Sequence, residues 1–177
     1  MVNVKKEFIP DQKFFPQTCR HTMNGKTTVL HCHHYASLYS QLADDCNIVD
    51  AKNLLAEVAE DTFYDVFKTY FQENKINDLP SRISIIEHYY ALVGLGKMHF
   101  LGAGPNSGDV ELIHSHIDEG WIKKWGKREA PVNFITCGFI CGAFAAIFNQ
   151  NLRSFLAQEV ESIVSGKERS VFSVVRQ

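Results

Sequence analysis

Apolar residues recur at spacings of three and four through much of the first half of the chain, a pattern typical of helices that bury one face. From about His33 the spacing is carried by four apolar residues, namely Tyr35, Leu38, Tyr39 and Leu42. Residues 51–73 form the clearest amphipathic helix, and Asp50 is placed to be its N-cap. A further helix is predicted within residues 79–98, starting near Ser81 and breaking at Gly94 or Gly96. Three consecutive helices are therefore expected.

In the second half of the chain, apolar residues recur at every second position, a pattern that predicts strands. Four segments carry it, at residues 98–104, 108–116, 153–162 and 169–177. Between the two pairs lie a predicted short helix at 117–126 and a predicted buried helix at 132–149, where Pro131 is well placed to open the helix. The strands of each pair are separated by a short turn, so we expect them to be antiparallel.

The N-terminal region predicts an extended arm and a hairpin. Residues 1–15 read as an arm, and residues 17–32 as a hairpin with its turn at Asn24-Gly25, the strongest short hairpin signal. Strands and helices do not alternate singly, so a parallel doubly wound sheet is not expected. The predicted class is α+β, with an antiparallel sheet covered on one face by helices, in a single domain over residues 1–177.

Composition narrows the class of protein further. Hydrophobic residues make up 45% of the 177 residues and the net charge is −2, without a basic patch that would favour nucleic acid or an anionic membrane. The longest apolar stretch, residues 134–148, is too short for a membrane span, and no signal-peptide pattern opens the chain. Five cysteines without secretory context favour free thiols and a cytoplasmic location.

Histidines are concentrated in two short segments. His31, His33 and His34 fall within four positions, and His114 and His116 would point to the same face of a strand. Imidazole binds transition metals and titrates near neutral pH, so such groups could be metal ligands or acid–base groups. They could equally cap backbone groups at a strand-to-helix junction. Both interpretations stay open, with His31 and His33 as the candidate ligands of a transition metal; no cofactor is otherwise predicted.

The C-terminal region resembles a known family. The sequence EAPVNFITCGFICGAFAAIFNQNLRSFLAQEVESIVSGKERSVFSVV (residues 129–175) resembles the 4-vinyl reductase domain family, and the resemblance extends upstream to about residue 95. That family includes the aromatic-sensing domains of phenol- and xylene-responsive activators and archaeal hydrocarbon-binding proteins. Its fold is shared with a subunit of the TRAPP tethering complex. The resemblance implies that fold here, with an apolar pocket between the helices and the sheet.

The resemblance also implies a position for a zinc site. In zinc-bearing members a cysteine, a glutamate and two further cysteines hold the long helix against the last hairpin. Those positions fall on Asn133, Glu159, Ser162 and Ser170, so only the glutamate is kept. Structural zinc needs thiolate or imidazole ligands, and we therefore expect these positions not to bind it. Hydrogen bonds between Glu159 and the two serines are expected to replace the metal.

Three functions are compatible with these observations. The resemblance favours a module that binds a small hydrophobic, aromatic or acyl molecule and acts as a sensor, carrier or accessory protein. Its expected wall comprises Tyr35, Phe63, Phe67, Tyr89, Phe100 and Trp121, with His34, His114 or His116 orienting the ligand. The first alternative is an enzyme of hydrolase or lyase type that uses the histidines. No nicotinamide, flavin or iron–sulfur motif is present for a reductase.

The second alternative is a structural interaction protein with a permanently filled pocket. The resemblance to the tethering subunit implies a homodimer for it, and an N-terminal arm could contribute to a two-fold interface. A homodimer is therefore expected under both the binding and the structural interpretation.

Overall fold

The computed structural model describes residues 6–29 and 32–177, with His33 described only as the first residue of a helix. Within this part of the chain there are five α-helices and seven strands. The helices are α1 (His33–Asp45), α2 (Ala51–Glu73), α3 (Leu79–Leu92), α4 (His116–Trp125) and α5 (Phe134–Ile147). The strands are β1 (Gln12–Phe15), β2 (Arg20–Met23), β3 (Lys26–Thr28), β4 (Gly96–Ala103), β5 (Ser107–Ser115), β6 (Phe155–Glu161) and β7 (Ser170–Arg176).

The strands form two separate antiparallel sheets. The smaller has the order β1-β2-β3 and the larger the order β4-β5-β7-β6. The predicted α+β class is confirmed, with helices covering one face of the larger sheet. None of the helices in the described ranges has both the length and the apolar character that spanning a membrane would require.

Helix α5 is the centre of the molecule. Eleven of its residues, including Phe139 and Phe144, are buried, because α2 packs on one side of it and the larger sheet on the other. Phe144 contacts Phe100 of β4 and Phe155 of β6, with ring centroids 5.6 and 5.5 Å apart. The helix begins at Phe134 rather than at residue 132, because the backbone of Asn133 (φ −85°, ψ +44°) is not helical and its side chain belongs to a polar cluster described below.

Two other elements differ from the predicted pattern. The arm contains a strand, β1, that pairs with β2 and turns the predicted hairpin into a three-stranded sheet. Its four residues are too short a run for the alternation to be recognised. Helix α3 begins at Leu79, before the predicted start near Ser81, because Asp78 is its N-cap and accepts from the Ser81 N–H. It ends at Leu92, and the chain turns at Gly94, one of the two predicted break points, with a φ of +79° before β4 begins at Gly96.

Close packing between α2 and α5 depends on glycine. A Cβ atom at Gly138 would lie 1.9 Å from the backbone oxygen of Ala56, and one at Gly142 would lie 2.7 Å from that of Glu60. Real Cβ contacts are never that short, so any larger residue would push the two helices apart. The α2–α5 interface therefore requires both glycines.

We expect Gly138→Ala to lower the free energy of unfolding by roughly 1–3 kcal/mol, the usual cost of overpacking a core. Urea denaturation measures the change. Gly102→Ala is the matched control, because a Cβ at Gly102 would meet no atom within 4 Å. Equal stability of Gly138→Ala and the wild-type protein would contradict the packing described here.

Candidate functional site

An aromatic cluster lies between α2, α3 and α5 and is closed by the N-terminal arm. Its members are Phe8, Phe63, Phe67, Tyr70, Tyr89 and Phe139. Tyr89 is at its centre, with ring centroids 5.0 Å from Phe8, 5.2 Å from Phe67 and 6.2 Å from Phe63. Most of these pairs have the edge-to-face geometry that aromatic rings prefer. Three of the six predicted wall residues therefore meet in this cluster.

A cavity of about 100 Å³ borders the aromatic cluster. Its apolar side is formed by Phe8, Met23, Val66, Tyr70 and Tyr89. Its polar side is formed by hydroxyl, amide and charged groups of α2, β3 and the turn before β3: Asn24, Lys26, Thr27, Thr28, Thr62, Thr69 and Glu73. Burial raises the pKa of the Tyr89 phenol, so this hydroxyl is a neutral hydrogen-bonding group at physiological pH.

Residues 6–28 cover the cavity and are called the lid below. Phe8 is buried against Tyr70 and Tyr89, and the backbone N–H of Ile9 donates to the Tyr70 hydroxyl over 2.9 Å. Asn24 holds the arm to the turn, since its amide donates to the carbonyl of Ile9. Lys26 forms an ion pair with Asp65 of α2. The lid is thus attached to α2 and α3 by a small number of side chains.

The other predicted wall residues lie elsewhere. Phe100 stacks on Phe144 over the sheet. Trp121 is buried in a second, smaller core with Ala36 and Val132, and Tyr35 is 54% exposed on α1. These three positions are separate from the cavity lining, and their proposed contact with a ligand stays a prediction.

The predicted histidines are spread over α1, β5 and α4. His34 is exposed, and its Nδ1 lies 3.4 Å from the Cys32 sulfur. His114 is largely exposed at the end of β5, with Nδ1 3.4 Å from Glu119, and His116 is the half-buried first residue of α4. Helix α1 packs against α4, so the two histidine segments belong to neighbouring elements.

The two predicted metal ligands, His31 and His33, have no described side chains. His31 lies outside the described residues, and the same holds for the side chain of His33. Within residues 6–29 and 32–177, no group of three or more His, Cys, Asp or Glu side chains has the arrangement needed to hold a metal ion. The histidine metal site stays a prediction.

The four positions implied for zinc meet in a buried polar cluster centred on Asp118. This polar cluster comprises Ser115, Asp118, Asn133, Glu159, Ser162 and Ser170. The Asp118 carboxylate accepts hydrogen bonds from Asn133 Nδ2 (2.7 Å), Ser162 Oγ (3.3 Å) and Ser170 Oγ (3.1 Å). It is fully buried, so these bonds compensate the cost of removing its charge from water.

Asn133 connects the two carboxylates of the polar cluster. Its Nδ2 donates to Asp118 and also to Glu159 Oε1 (2.8 Å), while its Oδ1 accepts from Ser115 Oγ. The cluster thereby joins the ends of β5 and β6, the start of β7 and the N-termini of α4 and α5. A set of hydrogen bonds holds the long helix against the last hairpin.

Asp118 is the functional position that sequence reasoning missed. The signal was present as Ser115-x-x-Asp118, the spacing of a helix N-cap followed by an acidic residue in the first turn. Ser115 does cap α4, because its Oγ accepts from the Asp118 N–H over 3.1 Å. The Asp118 side chain, however, points away from its own helix terminus and into the polar cluster, which only the tertiary structure reveals.

Glu159 is the titratable group of the polar cluster. Burial is the main cause that raises its pKa, and the negative charge of Asp118 adds to the effect, so that the pKa reaches about 7. Its Oε2 atom is buried and has no hydrogen-bond partner among the described residues. The carboxyl therefore holds a proton below about pH 7, and above it becomes a largely buried charge that the hydrogen bond from Asn133 compensates only in part.

The two cysteines of α5 are unreactive thiols. Burial raises the pKa of both Cys137 and Cys141, and that of Cys141 is about 12. Because the thiolate is the reactive form, burial disfavours nucleophilic reactivity at both residues.

Comparison with known proteins identifies the class of fold. No protein-family model and no curated protein sequence matches the chain. The phenol-responsive sensory domain of the transcription activator PoxR, solved with phenol, has a TM-score of 0.77 and 14% identity, covering 93% of this chain and 84% of that one. Subunit 3 of the trafficking protein particle complex from Naegleria fowleri, covalently bound to palmitic acid, has a TM-score of 0.54 and 13% identity, covering 81% and 91%.

A vinyl-4-reductase family protein from Methanocaldococcus jannaschii matches with a TM-score of 0.43 and 17% identity, covering 81% of this chain and 91% of that one. The first two structures establish that this chain has the fold of the PoxR sensory domain and of the trafficking-complex subunit. The fold that the sequence resemblance implied is confirmed.

We expect Glu159→Gln to remove most of the pH dependence that the polar cluster contributes to the free energy of unfolding. In the wild-type protein the folded-state pKa of about 7 exceeds the ordinary value of 4.5. Folding therefore favours the protonated form, and stability falls as pH rises from about 5 to 8. The difference between these two pKa values lowers the free energy of unfolding by roughly 3 kcal/mol once the carboxyl is ionised. The variant keeps a neutral side chain, so its urea unfolding at pH 8 should require more free energy than that of the wild type.

Asp118→Asn is the matched control for this experiment. It removes the charge that three hydrogen bonds compensate, so it should destabilise the protein at both pH values without abolishing the slope. A wild-type stability that stays flat between pH 5 and 8 would contradict the raised pKa of Glu159.

Proposed function

We propose that the protein is a small-molecule binding domain whose ligand is a compact aromatic or other hydrophobic molecule held under the lid. The observation that carries this proposal is the cavity beside the aromatic cluster, with Tyr89 at the junction of the two. Ligand sites are typically apolar concavities with a few polar groups that fix orientation. The cavity has this composition.

The size of the cavity favours one ring over a long chain. Its volume of about 100 Å³ is of the order of the cavities that hold a single benzene molecule in proteins. The Tyr89 phenol and the hydroxyls of Thr62 and Thr69 are hydrogen-bonding groups for a polar substituent on such a ring. A phenol, an indole or a small aromatic alcohol fits this combination of volume and polarity.

The structural neighbours support a hydrophobic ligand. The PoxR sensory domain was solved with phenol, a single ring, and the trafficking-complex subunit is covalently bound to palmitic acid, a long-chain molecule. Of the two, phenol is the one that matches the size of this cavity. A sensor or carrier role follows from binding under a lid, because a lid that moves with occupancy changes the surface that a partner protein contacts. We also propose a cytoplasmic location, which the five cysteines in a sequence without secretory context support.

Val66→Phe should abolish binding of small aromatic molecules. Val66 lines the cavity, and a phenyl ring at this position fills a volume close to that of the cavity itself. We expect the wild-type protein to bind phenol or indole saturably in isothermal titration calorimetry. The variant should give no heat of binding while keeping a cooperative thermal transition.

Val160→Phe is the matched control, because Val160 is 57% exposed on the outer face of β6 and the same substitution there leaves the cavity unchanged. Absence of saturable binding by the wild type for phenol, indole and medium-chain fatty acids would overturn the proposal. A stoichiometric transition metal that disappears in a His31→Ala, His33→Ala variant would favour the enzyme alternative instead.

The expected homodimer is proposed to form through α1. Four apolar residues cover the outer side of this helix and are 38–58% exposed, and they are called the α1 face: Tyr35, Leu38, Tyr39 and Leu42. The inner side consists of small buried residues, Ala36, Ser37, Ser40 and Ala43, which let α1 lie close to α2 and α4. A helix with its larger apolar side chains facing water is typical of an interface.

A second copy of the chain is the occupant that we propose. Two α1 helices packed antiparallel about a two-fold axis would bring the exposed His34 near the exposed Asp45 of the partner subunit, where the imidazole N–H can donate to the carboxylate, and their helix dipoles oppose. The same face pairs with itself, as an isologous interface requires.

Tyr39→Lys combined with Leu42→Lys should convert the dimer to a monomer of about 20.1 kDa, because four like charges would meet at the two-fold axis. Size-exclusion chromatography with light scattering measures the mass. Leu101→Lys with Leu156→Lys adds the same charge on the exposed face of the larger sheet and should leave the mass unchanged. A monomeric wild-type protein at micromolar concentrations would contradict the proposed interface.

A further inference from the structure

A second cavity, larger than the one under the lid, lies at the C-terminal ends of α2 and α5. Its volume is about 400 Å³. It is lined by Lys68, Phe71, Gln72, Lys75, Ile76, Asn77, Arg82, Ala146 and Asn149. It has no lining residue in common with the cavity beside the aromatic cluster, because the two lie against different sides of α2.

The charge of this cavity has one sign. Lys68, Lys75 and Arg82 line it, and its lining contains no carboxylate. Within residues 6–29 and 32–177, none of the three forms an ion pair with an aspartate or glutamate. Three positive groups around one concave surface, without a counter-charge from the described chain, favour an anion.

Arg82 is held in position by the protein itself. It is half-buried, donates from Nε to the carbonyl of Ile76 over 3.1 Å and from Nη1 to the carbonyl of Ile147, and lies over the ring of Phe71. These contacts use only part of the five donors of a guanidinium group. A positioned arginine with remaining donors can bind a carboxylate without first losing side-chain freedom.

The remaining lining residues match an organic acid. The amide side chains of Gln72, Asn77 and Asn149 are exposed at the rim, where they are additional donors. Phe71, Ile76 and Ala146 are each less than 5% exposed and form an apolar floor. The surface thus combines cations and amides for an oxyanion with an apolar floor for the body that carries it.

We propose that this cavity, called the anion pocket, binds a small organic carboxylate whose apolar body lies on Phe71 and Ile76. The carboxylate lies between Arg82, Lys68 and Lys75. The site is independent of the ligand proposed for the lid cavity, so one protein can respond to two chemically different small molecules.

Benzoate is the probe for the test, with benzyl alcohol as its neutral analogue and inorganic phosphate as an anion without an apolar body. Binding is followed by NMR on the ¹⁵N-labelled protein. We expect saturable shifts for benzoate at the amides of residues 75–77, 82 and 146–149, which lie at this cavity and not at the lid cavity. Binding of benzyl alcohol and phosphate should be at least about ten-fold weaker.

The variant Lys68→Gln with Lys75→Asn removes two charges and should weaken benzoate binding at this site by roughly ten-fold or more. Asparagine is chosen at position 75 because the φ of Lys75 is +52°, which asparagine tolerates. Lys97→Gln with Lys167→Gln removes the same charge from exposed positions outside the pocket and should leave the affinity unchanged.

Val66→Phe separates this proposal from the function proposed above. It fills the lid cavity only, so benzoate shifts at residues 75–77, 82 and 146–149 should persist in that variant. Loss of those shifts in Val66→Phe, an equal loss in the Lys97/Lys167 control, or no saturable binding of benzoate at millimolar concentration would each overturn the anion pocket. Phosphate binding as tight as benzoate would overturn the role of the apolar floor.

Discussion

The rest of the structure depends on the close approach of α2 to α5 at Gly138 and Gly142. Because these glycines have no side chain, the backbone of α2 lies directly on α5, and the aromatic residues on either side of the contact are brought together. The position of α2 in turn determines two surfaces: one side borders the lid cavity and another borders the anion pocket. A single helix–helix contact therefore sets the geometry of both candidate sites.

Local pattern predicted the elements well, and tertiary contacts account for what it missed. The helix at residues 51–73 was predicted with its bounds because a long amphipathic stripe and the Asp50 cap agree, and Asp50 accepts from the Asn53 N–H. The strand β1 was missed because four residues give too short an alternation. Helix α5 begins later than Pro131 indicated, because Asn133 has hydrogen-bond partners that are distant in sequence.

The candidate sites were harder to predict from the sequence than the fold was. Phe63, Phe67 and Tyr89 were predicted as wall residues and do meet in the aromatic cluster, but only Tyr89 lines the cavity. Phe8 was not predicted, since nothing in an extended arm predicts which residue folds back onto the core. The anion pocket is formed by the ends of separate helices, and residues 68–82 and 146–149 have no spacing that would relate them before folding.

The two sheets of the molecule share no strand, and this separation has a kinetic consequence. Within the described residues, the backbone ladders of β1 to β3 join only these three strands, whereas β4 to β7 form the sheet that supports α5. The lid can therefore swing away from Tyr70 and Tyr89 without breaking a ladder of the larger sheet. We therefore expect the proposed ligand to exchange through a local opening of the lid, at a lower free-energy cost than global unfolding. Under this proposal, changes to the lid would alter the residence time of the ligand without altering the unfolding rate of the core.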